Sequence, residues 1–509
     1  MASRRKPKKK KKHPTVARPK SGVKPAAARP SLLQAPWFPW FLLALVTVLA
    51  YANAWPNILV FDDKEFLGGD RFSGLELADF AGFFSQALWE ASGNTGNLYR
   101  PALMVSFGIQ NMLFEDWPAG FHLVNIFLHV VATLLVFGFL REVMRAIGGE
   151  RPRPDWPVLL AAMVFGVHPV LTDAVNSVFN GSEIYVAIGT CGGLWYLLSN
   201  YRQRPVRAWL VLALLYFWAL LNRESAVALP ALAAATVWLT SREAWPARIR
   251  QCLPVLVLLV PLACYFAMRS YAFEAPDRLP GATQKVAAVE QISAGPKPAA
   301  LELPIRYLAA QDESPRRAAP GDELESIGVT FRMKRAAEVI PMWFDALKLM
   351  VWPHPLLLIR QVSDTPWLLA LVSQLLLLGL AVFAWIRKQP VYMLGLALFY
   401  LAILPASRVV SEGFLPPLLM DRMLYLPSVG LMLCLAAGLQ WLGGCTSART
   451  AIIAAALLVS LLVPVTWARN HTWSDEIRLL ETDFAVTEKN PQLLFSVVAS
   501  HWKADNPER

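Results

Sequence analysis

Two adjacent carboxylates, Asp62 and Asp63 in VFDDKEF, follow the first apolar block of the chain. Their mutual repulsion raises one pKa and equips that group to take a proton from a hydroxyl. The plainer alternative is a solvated acidic turn. Arginine stands beside an acid twice, as Arg223-Glu224 in ALLNRESAVALP and as Asp421-Arg422 in DRMLYLPSVG. The planar guanidinium fork suits phosphate oxygens, while a local ion pair is the simpler explanation of each doublet. Tyr99-Arg100-Pro101 opens a short apolar stretch, PALMVSFGIQNMLF, of interfacial length. It reads equally as part of a site or as an anchor. His168-Pro169, with Thr172 and Asp173 on the next turn, can bring an imidazole near a carboxylate or can bond locally at its own helix end. Two arginine sites beside a carboxylate pair, if all face one way, point to an anionic lipid head group handled at a membrane surface.

Other polar positions read as structural. His122, Asn125 and His129 fall at i, i+3 and i+7 of one helical face, a stripe suited to interhelical hydrogen bonds in lipid. A metal site is the lesser reading, because no second ligand-bearing segment accompanies the stripe. Cys191, Cys252, Cys264, Cys434 and Cys445 have no CxxC spacing and read as small packing residues.

The elements that must position these groups are membrane spans. The chain has 509 residues, 55% hydrophobic and 17% charged, far fewer charges than the roughly 25% of a soluble domain. Its net charge of +11 belongs to one end: residues 1–36 hold twelve Lys or Arg and no acid, leaving 36 basic against 37 acidic residues elsewhere. That Pro- and Ala-rich tail reads as disordered and cytoplasmic, where positive loops stay. No stacking aromatic or base-reading motif accompanies it, which argues against nucleic acid.

Eleven apolar blocks follow, near 37–58, 120–140, 156–171, 183–200, 208–221, 226–240, 252–269, 366–386, 391–406, 423–442 and 450–467. Residues 337–352 read as an interfacial helix. Basic clusters such as Arg141-Arg145, Arg202-Arg207 and Arg387-Lys388 alternate with acidic or neutral connections, placing the N-terminus in the cytoplasm and the C-terminus outside. The segment 59–119 and the long segment 271–336 then face outward. The polar set Asp62, Asp63, Tyr99, Arg100, His168, Asp173, Asn222, Arg223, Glu224, Arg408, Asp421 and Arg422 gathers at outer span ends. The expected organisation is a basic tail (1–36), a transmembrane domain (37–470) and a short external C-terminal segment (471–509).

These same stretches, in order, resemble a known family. FDDKEF, YRPALMVSFGIQ, GFHLVNIFLHVVATLLVF, HPVLTDAVNSVFNGSE, ALLNRESAVALP and DRMLYLPSVG are similar to the multispan O-mannosyltransferases with tetratricopeptide repeats and their bacterial relatives, within the GT-C membrane glycosyltransferases. The resemblance implies an all-α GT-C fold with a catalytic first external loop and a polyprenyl-phosphate-linked sugar as donor. It implies a protein or glycan acceptor on the periplasmic or luminal face. Asp62 or Asp63 would be the general base. Arg223, Arg422 and Arg100 would hold the donor phosphate, with Glu224 and Asp421 orienting arginines and His168, Asp173 and Tyr99 in support. Arg223 stands where the family more often has Lys, and Asp421 where it more often has Glu. Residues 475–509 look like the entrance to a repeat array, which needs about three copies to bury a core.

Two other classes fit a multispan chain: a transporter or flippase, with polar groups recurring at mid-span, and a noncatalytic scaffold. No nucleotide-binding loop of the GxxxxGK[ST] type is present. No cofactor is specified, and a divalent cation is left open. The Arg- and Ala-rich inside loops suit a bacterial inner membrane, and the same sidedness holds in an endoplasmic reticulum.

Overall fold

A computed structural model describes residues 35–67, 72, 74–88, 98–115, 117–148, 155–273, 338–358, 360–361, 365–407 and 418–486. Nearly all of the basic tail, most of the long segment 271–336, Arg408 and everything after residue 486 lie outside them. The described chain is a polytopic helical membrane protein. Its one β pairing is two residues long on each side, Arg360–Gln361 antiparallel to Leu418–Leu419.

Every one of the eleven apolar blocks contains helix, but the spans are less uniform than the blocks. Among the described residues six helices are long and apolar enough to cross a membrane, and seven if Trp156–Val167 and Pro169–Asn176, bent by 47°, count as one. Phe38–Ala50 and Pro390–Ile403 are shorter apolar helices. The difference arises because an apolar run also includes residues that the backbone spends on turns. The first block stays apolar to residue 58, yet its helix ends at Ala50 and turns carry the chain on to Pro56. Thirteen helical residues cover only about 20 Å at about 1.5 Å each.

Proline fixes several starts. Pro101–Phe114, Pro118–Gly148, Pro205–Asn222 and Pro390–Ile403 all begin on it, where the missing N–H costs no intrahelical bond. Close packing then sets the bundle. A Cβ on Gly430 of Tyr425–Cys445 would lie 2.3 Å from the Gly395 carbonyl of Pro390–Ile403, so those two helices cross at backbone distance, as small residues allow in lipid. The polar stripe on Pro118–Gly148 makes the interhelical bonds its spacing suggested. Asn125 Nδ2 donates to the Val175 and Ser177 carbonyls, while His129 bonds Tyr425 Oη at 2.6 Å and the Gly166 carbonyl at 3.1 Å.

Residues 338–351 form a helix whose Met342, Ala346, Leu349 and Met350 are buried in the main core. Between the first two blocks, Asp62–Leu67, a turn at Asp79–Ser85 and Pro101–Phe114 make a cap at one end of the bundle. Its core is aromatic: the Phe66 ring meets Phe107 and Phe179 edge to face at 5.6 and 5.3 Å. Phe66 lies one turn beyond Asp62, so this packing fixes the helix that carries the carboxylates.

Candidate active site

Of the side chains that charge alternation assigned to one face, Asp62, Arg100, Asp173, Arg223 and Arg422 lie within electrostatic reach of one another, and Arg408 lies outside the described residues. Asp62 and Asp63 open a six-residue helix, and Phe61 before them has φ of +50°. A bulky side chain in that left-handed region costs about 1–2 kcal/mol, a cost that the surrounding packing has to outweigh. The sharp turn sends the two carboxylates to different surroundings. Asp63 is fully buried and accepts three hydrogen bonds: Ser177 Oγ–H at 3.0 Å, Val178 N–H at 2.8 Å and Phe179 N–H at 2.7 Å. Burial pushes its carboxyl up to about 7 against the pull of these three donors, and the repulsion from Asp62 adds least. Asp63 therefore pins the cap to the turn 177–181. The sequence left either carboxylate as a base; in this geometry Asp63 accepts three hydrogen bonds from the protein, and Asp62 accepts none among the described residues.

Asp62 differs. It is half-buried, with no hydrogen bond or ion pair among the described residues, and burial again raises its pKa. The nearby charges Arg422, Arg100 and Arg223 lower it, while Asp173 raises it. Asp62 is thus an unpaired carboxylate in the combined field of three arginines.

Each arginine has its own acidic partner, and none is the neighbour in sequence. Arg100 reaches Glu224 through Nη2 at 2.8 Å and Nε at 3.0 Å, and also lies over the Phe179 ring. Arg223 Nε pairs with Glu183 at 2.9 Å, and its Nη1 donates to Ser182 Oγ at 2.7 Å. Arg422 gives its backbone N–H and Nη1 to Asp173 at 3.2 and 3.4 Å, while its buried Nε has no hydrogen-bond partner. Asp421 turns away, accepting the Leu357 N–H at 2.9 Å and facing Arg360 at 3.8 Å. The expectation that Glu224 orients Arg223 and Asp421 orients Arg422 is corrected here. Consecutive side chains leave the backbone in different directions, so residues i and i+1 rarely face each other.

Two supporting residues also turn out to be structural. His168 Nδ1 accepts the Val170 N–H at 3.3 Å and Nε2 bonds the Met350 carbonyl at 3.2 Å, which uses both ring nitrogens and leaves Asp173 to Arg422. Tyr99 donates its hydroxyl to the Phe84 carbonyl at 2.7 Å. Asn222 donates locally to Trp218. Glu183 and Ser182, which hold Arg223, were overlooked in the sequence although Glu183 closes the motif HPVLTDAVNSVFNGSE. Its signal was an acid in an otherwise neutral apolar helix start. Among the described residues no group of three His, Cys, Asp or Glu is placed to hold a metal ion.

An apolar groove of about 710 Å³ lies beside the site. Val164, Leu377, Leu431, Leu435 and Leu462 line it, with His168 and Lys348 among its few polar side chains. Leu431 and Leu435 sit roughly 9 and 15 Å along their helix from Tyr425, at about 1.5 Å per residue. The groove therefore runs along that helix from the level of His168 to that of Leu435.

No family model matches the chain. It aligns with protein O-mannosyl-transferase F38B6.6 of Caenorhabditis elegans, 21% identical over 468 residues, covering 90% of this chain and 59% of that protein. Protein O-mannosyl-transferase TMTC4 of Mus musculus is 33% identical over 184 residues, covering 33% of the chain and 23% of that protein. Protein O-mannosyl-transferase Tmtc2 of Drosophila melanogaster is 32% identical over 208 residues, covering 37% and 20%. The chain resembles the protein O-mannosyl-transferases. It spans less than two thirds of the length of each of these relatives. The resemblance drawn from the six motifs is thus matched by an alignment running along most of the chain.

One expected result separates the two carboxylates by stability. In Asp63→Asn an amide NH₂ must face a backbone N–H, leaving a buried donor unmatched at a cost of about 1–3 kcal/mol. The variant should unfold at lower temperature in detergent than wild type, whereas Asp62→Asn should not. Equal melting temperatures for Asp63→Asn and wild type would remove the pinning role.

Proposed function

We propose that this chain is a membrane glycosyltransferase that moves a sugar from a polyprenyl-phosphate donor to a protein or glycan hydroxyl on the periplasmic or luminal face. The observation that carries this reading is Asp62, a carboxylate without a hydrogen-bond or ion-pair partner among the described residues, set among three arginines each paired with another acid. The relatives' names make mannose the first sugar to test, and a protein hydroxyl the first acceptor.

Asp62 accepts the proton of the acceptor hydroxyl as its oxygen attacks the anomeric carbon. The bond from that carbon to the phosphate oxygen breaks, and the phosphate leaves with the electron pair. Arg422, with a free Nε, is the first donor to that developing charge, and Arg223 and Arg100 add positive potential around it. Attack opposite the phosphate inverts the anomeric centre. The apolar groove supports a lipid-linked donor, because its leucine lining, with His168 on its wall, suits an isoprenoid chain. Lys348 at its lining suits a lipid phosphate on its way to the arginines.

The test is label transfer in lipid nanodiscs from polyprenyl-phosphate mannose, glucose or arabinose to a membrane or periplasmic extract, comparing wild type with Asp62→Asn. Transfer that depends on Asp62 supports the reading. Transfer at the wild-type rate by Asp62→Asn overturns the base, and the absence of transfer from all three donors overturns the donor class. The groove has its own check. Leu377→Trp should raise the donor KM about tenfold while kcat stays near wild type, since it removes only binding of the unreacting tail. An unchanged KM would take the tail out of the groove.

A further inference from the structure

The last described helix, Glu476–Phe484, touches both halves of the site although it contributes nothing to its charge. Asp475 Oδ1 caps it by accepting the Arg478 N–H at 2.9 Å. Its Leu479 is fully buried in a small cluster with Val60, Leu358 and Trp473, against which Phe61 packs. Val60 and Phe61 are the residues immediately before Asp62, and Phe61 is the one held at φ of +50°. Lys64, two residues beyond Asp62, lies 3.7 Å from Glu476 of the same helix. One end of this helix thus braces the segment that carries the base.

The other end braces the arginine. Asp483 is buried and accepts Arg469 Nη1 at 2.8 Å and the Leu358 N–H at 2.6 Å. The preceding amide, Leu357 N–H, goes to Asp421. The two consecutive amides of residues 357 and 358 are thus held by two different carboxylates, Asp421 and Asp483. Arg360 then pairs with Leu419 in the short β ladder that leads into Asp421 and Arg422. A continuous run of bonds therefore links Asp483 to the backbone of Arg422.

We propose that helix Glu476–Phe484 is the clamp that sets the spacing of the site, with Asp483 as its positioning residue. Leu479 holds the turn in front of Asp62 while Asp483 holds Leu358, and through it Asp421 and Arg422. Both groups keep their places only while this helix is docked. The catalytic part of this inference rests on the proposed transferase reading; the mechanical part does not.

Amide hydrogen exchange on the full chain in nanodiscs tests the mechanical part without any sugar. In Asp483→Asn the amides of 57–66, 355–361 and 418–424 should exchange about tenfold faster, as expected when a local cooperative unit loosens. Asp475→Ala, which removes the helix cap beside Leu479, should speed exchange within 474–480 and in 57–66, and leave 355–361 and 418–424, which hang on Asp483, as they are. Faster exchange confined to 474–486 in Asp483→Asn would overturn the clamp whatever the enzyme does. Where wild type transfers sugar, Asp483→Asn should lower kcat about 100-fold with donor KM nearly constant, the signature of misplaced reacting groups. A fall in KM-defined donor binding without loss of kcat would also overturn the positioning role. A wild type with no transfer would count against the transferase reading and leave the exchange result standing.

Discussion

Asp62→Asn is expected to lower sugar transfer by about 10²–10⁴-fold, the usual worth of a general base, while the protein stays folded and binds donor as before. Asparagine keeps the size and polarity of the side chain and removes only its capacity to take a proton. Nothing else in the described structure depends on Asp62, since it makes no ion pair or hydrogen bond there. Folding should therefore be unaffected, and the loss should fall on kcat. The pH profile supplies a second signature. Burial is the largest influence on Asp62 and raises its pKa, and the base works only when ionised. Activity should thus be present at higher pH and fall as pH drops through a value above the ordinary carboxylate range. A profile of kcat/KM with no such acidic limb, or normal turnover in Asp62→Asn, would remove this residue from catalysis.

Arg422→Gln should cost about 10²–10³-fold in kcat/KM, comparable to the loss of one oxyanion donor, and should weaken donor binding as well. Its guanidinium is the one in this site with a buried nitrogen lacking a partner, so it has capacity to spare for a phosphate. Asp173 would keep the backbone N–H of residue 422 and the Asn180 side chain, which limits the structural damage. Arg223→Gln makes the informative comparison. It removes the cation from buried Glu183, and an uncompensated buried charge is strongly destabilising, so its first effect should be on folding. Melting temperatures in detergent read beside donor titrations distinguish the two. Unchanged donor affinity and turnover in Arg422→Gln would place the phosphate elsewhere.

Legibility in the sequence followed the range of the interactions involved. Apolar blocks are a local property, and each of them contains helix, though only six or seven of the described helices are long enough to span. Pairing was not local. Arg100 and Glu224 are 124 residues apart, Asp173 and Arg422 249 apart, and no spacing within a motif announces them. The doublets Arg223-Glu224 and Asp421-Arg422 looked like self-contained ion pairs, and each member instead bonds a different, distant segment. His168 was legible as a helix-end residue, because its partner Val170 is only two positions away, while its second partner, Met350, was not.

By itself the sequence determined a helical membrane protein, a basic tail set apart from a charge-balanced body, and a set of acids and arginines in motifs resembling those of O-mannosyltransferases. Only the tertiary structure decided that Asp62 is open and Asp63 closed, which acid holds which arginine, and that a helix past residue 475 braces both. The physical reason is that residue type and periodicity set what a segment can bury, but the state of a carboxylate depends on the donors around it. For Asp63 those donors come from residues 177–179, more than a hundred positions along the chain, and they reach it only when the bundle closes.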